Sequence, residues 1–208
     1  MTTRSASIVA EDSEASSVEE LLEEAKEVHR RKIFLNYKGL AALPAELVLD
    51  DQTFRHLEHM YLKRNLLKTL PTNIGNLKGL VELYLHSNNL TSLPDELGDL
   101  PNLRVLEASC NRLTCIPREL SKCGQLRSLN LINNQLQWLP RQLTDLMELE
   151  ELTVSGNMLS FLPMGEKNQQ NRTDDRDCTR YNCRFLIFIN FYLSIPPFLP
   201  LICVLCSI

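Results

Sequence analysis

The chain has 208 residues and a formal net charge of −4 at pH 7, a length that suits one domain of ordinary size with flanking tails. Residues 1–28 hold eight acidic and two basic residues, whereas residues 29–164 hold fourteen acidic and fifteen basic residues. A nearly neutral central region argues against nucleic acid as a partner, because phosphate binding requires clustered Lys and Arg.

The N-terminal segment lacks the basic flank and apolar core of a secretory signal, so the sequence predicts a cytoplasmic protein. Its seven cysteines are then expected to stay reduced. Residues 1–17 are small, polar and acidic, which is typical of a disordered tail.

Apolar residues at helical spacing begin at Val18 and predict a helix over residues 18–31. Ser17 and Glu20 have the spacing of a capping box at its start. We expect this helix to cap the open end of the domain that follows. A partner-binding helix is the alternative.

One pattern recurs five times between residues 57 and 162, in the same register. The copies open LEHMYLKRNLLKTLP, LVELYLHSNNLTSLP, LRVLEASCNRLTCIP, LRSLNLINNQLQWLP and LEELTVSGNMLSFLP, and they start 23 residues apart. IFLNYKGLAALP, at residues 33–44, is a degenerate first copy. The pattern matches the leucine-rich repeat template L-x-x-L-x-L-x-x-N-x-L, whose period is about 20 to 29 residues. We therefore predict an α/β solenoid over residues 32–163: a right-handed superhelix of about six repeats, with short parallel strands on the concave face and short helices or turns on the convex face.

Each repeat is expected to bury its leucines, because side chains alternate across a strand and the L-x-L pair then points inward. In one copy these are Leu80, Leu83, Leu85, Leu90, Leu93, Leu97 and Leu100. An asparagine stands at the same phase of every full repeat, where its amide can satisfy backbone groups at a buried bend. This predicted structural ladder comprises Asn65, Asn88, Asn111, Asn134 and Asn157.

The concave face is where a solenoid binds its partners. Aromatic and basic residues gather there in the first three strands, and these residue types dominate binding hot spots. The predicted partner-binding residues are Phe34, Tyr37, Tyr61, Lys63, Arg64, Tyr84, His86 and Glu107. Ordinary cross-strand packing is the alternative role for the aromatic side chains.

The sequence predicts no catalytic residues, no cofactor and no metal site, and hence no enzyme. The histidines lie outside any nucleophile–base motif, and the few glycines form no phosphate-binding loop. Four cysteines have spacing loosely like a zinc site, but the long apolar run between the two pairs argues against a metal-held fold. They are Cys178, Cys183, Cys203 and Cys206.

After Pro163 the repeats stop and leave the last repeat without a recognisable cap, which predicts an open sheet edge. Residues 164–184 are expected to form a polar linker. Residues 185–208 carry no charge, and a run of this length could cross a bilayer, although three prolines interrupt it. A tail unrelated to the repeats, a membrane tail anchor and a hydrophobic end cap remain open for this segment.

The strings LPTNIGNL and LPDELGDL resemble the intracellular leucine-rich repeat group that includes Ras-suppressor and Scribble-type proteins. FLNYKGL, LEHMYLKRN and LVELYLHSNNL narrow the resemblance to one member of that group over residues 26–164, and the sequence after Pro163 departs from it as a truncated or spliced product would. The resemblance implies a cytoplasmic, non-catalytic protein. We predict an interaction module or scaffold in intracellular signalling that binds an unidentified protein on its concave face. The alternative is a tail-anchored membrane adaptor, with residues 185–208 as the only membrane contact.

Overall fold

The computed structural model describes residues 17–27, 29–49 and 53–160, and the backbone of a strand at residues 186–188. The described strands form one parallel sheet in chain order. They are β1 Lys32–Phe34, β2 His59–Tyr61, β3 Glu82–Tyr84, β4 Val105–Glu107, β5 Ser128–Asn130, β6 Glu151–Thr153 and β7 Leu186–Phe188. Strands that neighbour each other in sequence also neighbour each other in the sheet, which is how stacked repeats pair.

Helical turns connect the strands on the side opposite the sheet. A short α-helix, α2 (Glu46–Leu49), follows β1, and four 3₁₀-helices follow the next four strands. The 3₁₀-helices are Thr72–Asn76, Asp95–Asp99, Arg118–Lys122 and Arg141–Asp145. Each begins after a proline in extended conformation, such as Pro94 with φ −72° and ψ 150°, because the proline ring fixes φ and ends strand pairing. Strands on one side and helical turns on the other make the sheet side the concave side of a solenoid.

The predicted helix is present but shorter than expected: α1 spans Val18–Glu27 rather than residues 18–31. Ser17 and Glu20 form the reciprocal capping box, with N–H to side-chain oxygen distances of 3.0 and 3.2 Å. At the other end, His29 takes a left-handed φ of 48°, and the Arg30 N–H donates to the Ala25 carbonyl at 3.1 Å. This pattern is a Schellman motif, which ends a helix by satisfying its last carbonyls.

Leucines stacked from repeat to repeat form one continuous core between the sheet and the helical turns. Leu22 and Ala25 of α1 join it at the N-terminal end and are buried, so α1 covers the first repeat. The inward residues of the example repeat are buried as predicted. These are Leu80, Leu83, Leu85, Leu90, Leu93, Leu97 and Leu100. Cys123 is also buried, its Sγ lies 3.1 Å from the Leu97 carbonyl, and burial raises the pKa of its thiol to about 11.

The asparagines at the repeated phase bridge neighbouring repeats through their side-chain amides. Asn111 donates to the Leu85 and Ala108 carbonyls at 3.0 and 3.1 Å, and its Oδ1 accepts from the Leu90 N–H at 3.0 Å. The same pattern recurs at Asn65, Asn88, Asn134 and Asn157. Each amide thus joins a carbonyl of its own repeat to a carbonyl and an N–H of the preceding repeat, and all except Asn157 are buried.

The outer edge of β6 is paired, contrary to the open edge expected after Pro163. Residues Leu186–Phe188, from the apolar C-terminal stretch, lie parallel to β6 with Leu152 opposite Ile187. The polar linker and the four C-terminal cysteines lie outside the described residues. Within the described part, no helix is long and apolar enough to cross a membrane.

Candidate protein-binding site

The strand register places equivalent residues of successive repeats side by side on the strand face, which we define as the sheet surface turned away from the core. The middle column contains Phe34, Tyr61, Tyr84, Glu107, Asn130 and Thr153. Neighbouring strands in a sheet lie about 4.8 Å apart, so like side chains in one column come into direct contact. The aromatic half of this column therefore lies over β1–β3, and the polar half lies over β4–β6.

Phe34, Tyr61 and Tyr84 form a stack that we call the aromatic ladder. The Phe34 and Tyr61 ring centroids are 4.6 Å apart at an interplanar angle of 10°, and those of Tyr61 and Tyr84 are 4.8 Å apart at 6°. Both faces of the Tyr61 ring are thus covered by neighbours. The ladder is cross-strand packing, as the alternative interpretation holds, and it leaves ring edges and one face of Phe34 for contact with a partner.

Lys63 lies over the ladder, and its neighbour in sequence, Arg64, contacts Tyr37; we call Lys63 and Arg64 the cationic pair. The Lys63 Nζ lies 5.0 Å from the Tyr84 centroid and 5.9 Å from that of Tyr61, while the Arg64 Cζ lies 5.6 Å from the Tyr37 centroid. These are cation–π distances. Tyr37 is 60% exposed and Phe34 38% exposed, so the cluster presents large side chains to solvent at the N-terminal end of the sheet.

Protonation of the cluster is set by burial and neighbouring charge. Burial, followed by the hydrogen bond to Glu82, raises the pKa of Tyr84 to about 12. Burial also raises the pKa of Tyr61, with the Glu82 charge adding to the effect. Partial burial and then the Lys63 charge lower the pKa of His86. At neutral pH the cluster thus offers protonated phenols and a neutral imidazole beside two cations.

Glu107 makes its hydrogen bonds outside the cluster that the other predicted site residues form. Its Oε2 accepts from the Asn130 amide at 2.6 Å, and its Oε1 accepts from the Ser109 N–H at 3.0 Å. Both partners lie towards the C-terminal half of the sheet. The structure therefore brings together Phe34, Tyr37, Tyr61, Lys63, Arg64, Tyr84 and His86, and it holds Glu107 at the border of that cluster.

A further column on the strand face, two residues before the aromatic column, was not predicted from the sequence. Its members include His59 and Glu82, which face each other in register. The Glu82 Oε2 lies 2.8 Å from His59 Nδ1 and accepts a hydrogen bond from the Tyr84 hydroxyl at 3.0 Å. The alternation of side chains along a strand would have identified this column, because residues two apart share a face.

Backbone geometry sets apart a last column, at the turn that follows each strand. Six equivalent residues have left-handed φ between 51° and 69°. They are Tyr37, Arg64, Ser87, Cys110, Asn133 and Gly156. Left-handed φ is uncommon for residues other than glycine, and the first two members carry large side chains that face each other in the cation–π contact. The site thus lies partly on strands and partly on the turns that end them.

The described residues contain no group of three or more His, Cys, Asp or Glu side chains placed to hold a metal ion. Cys110, Cys115 and Cys123 are free thiols. The four histidines of the sequence include one close pair, His29 and His56, whose rings are 4.9 Å apart where α1 meets the first repeat. This pair lies away from the strand face.

A parallel one-strand-per-repeat solenoid with an asparagine ladder defines a class of repeat protein. Residues 78–136 and 101–159 match the sequence model of the family described as leucine rich repeat. YopM from Yersinia enterocolitica WA-314 has a similar solved structure: 28% sequence identity, a TM-score of 0.57, and coverage of 70% of this chain and 29% of YopM. A leucine-rich repeat protein of Leptospira interrogans is 24% identical, with coverage of 71% of this chain and 54% of that protein and a TM-score of 0.46. The chain spans less than two thirds of either protein. The parallel sheet, the family match and the likeness to YopM show that its fold is a leucine-rich-repeat solenoid, as the sequence predicts.

Proposed function

We propose that the chain is a non-enzymatic interaction module that binds a protein partner on its strand face, over β1–β3. Leucine-rich repeat domains generally mediate protein–protein interaction, and the family match supports that general role here. One observation carries the location: the described aromatic and cationic side chains of the strand face converge at its N-terminal end. Aromatic and Arg side chains contribute the largest share of binding energy at protein interfaces.

The polar half of the strand face is less suited to binding, because its side chains are engaged with each other. Asn130 donates to Glu107 at 2.6 Å, and the Ser128 hydroxyl donates to Glu151 at 3.1 Å. A partner would have to replace these hydrogen bonds to gain new ones. The aromatic half offers ring edges and cations whose contacts a partner can add to without breaking them.

We also propose a cytoplasmic scaffold role in signalling, supported by the resemblance to the intracellular repeat group and by the free thiols. The strings at residues 34–40, 57–65 and 80–90 resemble the N-terminal part of leucine-rich repeat-containing protein twenty-eight, and we propose a relative whose sequence differs after Pro163. Among the three interpretations of residues 185–208, pairing of Leu186–Phe188 with β6 favours an end cap over a tail anchor.

Replacing Phe34 and Tyr37 together by alanine is expected to remove the partners recovered by proximity labelling from the full chain in living cells. Both side chains are exposed, so stability should fall by only about 1 kcal/mol, mainly from the lost stacking of Phe34 on Tyr61. A double Trp138→Ala and Met147→Ala variant is the matched control, because these side chains are 46% and 74% exposed and lie outside the strands. If the control loses the same partners as the strand-face variant, or if neither loses any, the strand face is not the binding site.

A further inference from the structure

Among the described charged groups around the strand face, Lys63 and Arg64 differ from most in having aromatic rings, rather than groups of opposite charge, as their neighbours. Within the described part of the chain, no carboxylate lies within 4.0 Å of either side chain, and both side chains contact tyrosine rings. A ring face attracts a cation but leaves its hydrogen-bond donors unused. The pair therefore keeps donors for an anionic group from outside.

The carboxylates nearby are already held by other donors of the chain. Glu58 lies 3.1 Å from the Arg31 guanidinium, and the Glu82 Oε2 accepts from the Tyr84 hydroxyl and lies 2.8 Å from His59 Nδ1. Glu107 accepts from the Asn130 amide and the Ser109 N–H. Each acid is thus directed to a partner other than the cationic pair.

Arg64 has an unusual backbone conformation, which favours the binding of an anionic group by its side chain. Its φ of 51° is left-handed, a conformation that costs a large side chain about 1 kcal/mol or more and that the later repeats give to smaller residues. The contact with the Tyr37 ring uses none of the guanidinium N–H groups, which stay available to bind a carboxylate through two hydrogen bonds. Lys63, the preceding residue, lies just beyond the end of β2, with its Nζ near the Tyr84 and Tyr61 rings.

We propose that the partner presents an extended acidic segment, whose carboxylates pair with Lys63 and Arg64 while its apolar side chains cover the edges of the aromatic ladder. This inference rests on the proposed function and specifies its partner. A nucleic acid fits less well, because Glu58, Glu82 and Glu107 around the cationic pair would repel a continuous row of phosphates.

The test selects peptides from a random display library on the full chain and measures their affinity for it and for its variants. We expect the selected peptides to be rich in Asp and Glu and to bind more weakly as salt increases. The double variant Lys63→Glu, Arg64→Glu should weaken them by about tenfold or more, and peptides with their acids changed to Lys should regain affinity for that variant. Lys68→Glu with Arg112→Glu is the control, because it makes the same charge change at exposed residues outside the strands.

Melting curves of both double variants establish that they fold, and Lys63→Met with Arg64→Gln provides a neutral pair should the reversed charges destabilise the chain. Peptides that are neutral or basic, yet lost with the Phe34 and Tyr37 variant, would overturn the acidic partner and leave the proposed site intact. Peptides indifferent to both sets of strand-face variants would overturn both. Failure to select any peptide, or equally tight binding of a DNA duplex used as a probe, would contradict the acidic-segment proposal alone.

Discussion

Replacing Asn111 by alanine is expected to lower the free energy of unfolding of the full chain by about 3 kcal/mol. Its amide is buried at the centre of the stack and donates to two main-chain carbonyls while accepting from the Leu90 N–H. Alanine leaves the Leu90 N–H without a partner where water does not reach, which costs about 1 to 3 kcal/mol. The Leu85 and Ala108 carbonyls each lose one of two hydrogen bonds, because they also accept from the Asn88 and Asn134 amides. Urea unfolding followed by circular dichroism measures the change.

The control for Asn111 is another asparagine that also joins two repeats. Asn102 donates to the Lys78 carbonyl at 2.9 Å, but it is exposed, so water replaces the amide when Asn102 is changed to alanine. We expect a loss of at most about 1 kcal/mol. Equal losses for Asn111 and Asn102 would show that burial of the ladder is not what stabilises the stack.

Changing Gly98 to alanine is expected to destabilise the chain by about 3 kcal/mol, through a clash on the helical side of the solenoid. A Cβ on Gly98 would lie 2.2 Å from the Glu119 carbonyl oxygen and 2.8 Å from its carbon. Both are backbone atoms of the next repeat, so the two repeats would have to separate. The temperature midpoint of unfolding should therefore fall clearly.

Gly124 provides the comparison, because a Cβ there would meet nothing within 4 Å and its φ is not left-handed. Alanine at Gly124 should leave stability unchanged or raise it by up to about 1 kcal/mol, since the unfolded chain loses freedom. A Gly98 variant as stable as the Gly124 variant would mean that the repeats tolerate a wider spacing than the structure shows.

The stacking of the repeats is the part of the fold that the sequence predicts most directly. Repeats of equal length, with leucines at equivalent positions, bury those leucines only by stacking in register. The register of β2–β6, the buried leucines and the bridging role of asparagines such as Asn111 follow from the 23-residue period. The helix end was predicted four residues too late, since the stop at Glu27 depends on a left-handed histidine rather than the usual glycine. An end cap was one of three interpretations of the apolar tail, but pairing of β7 with β6 could not be specified, because residues 186–188 carry no trace of the repeat.

At the candidate site, the residues that share the strand face could be predicted from the sequence, but the contacts between their side chains could not. Stacking of Tyr61 between Phe34 and Tyr84 depends on matching side-chain conformations, which column membership alone does not specify. The role of Glu82 was missed, because its contact with the Tyr84 hydroxyl depends on side-chain conformation rather than on residue type. Glu107 was grouped with the cluster by its column, although its hydrogen bonds direct it to the next strand.

Hydroxyl-radical footprinting of the full chain, with and without a bound partner, is the most direct test of where this solenoid binds. The method reads exposure of aromatic and methionine side chains, which the chain carries both on the strand face and away from it. We predict protection of Phe34, Tyr37 and Tyr84 and unchanged oxidation of Trp138, Met147 and Met158, all exposed outside the aromatic ladder. Protection of Trp138 or the two methionines, with the ladder still fully reactive, would contradict binding through the first three strands.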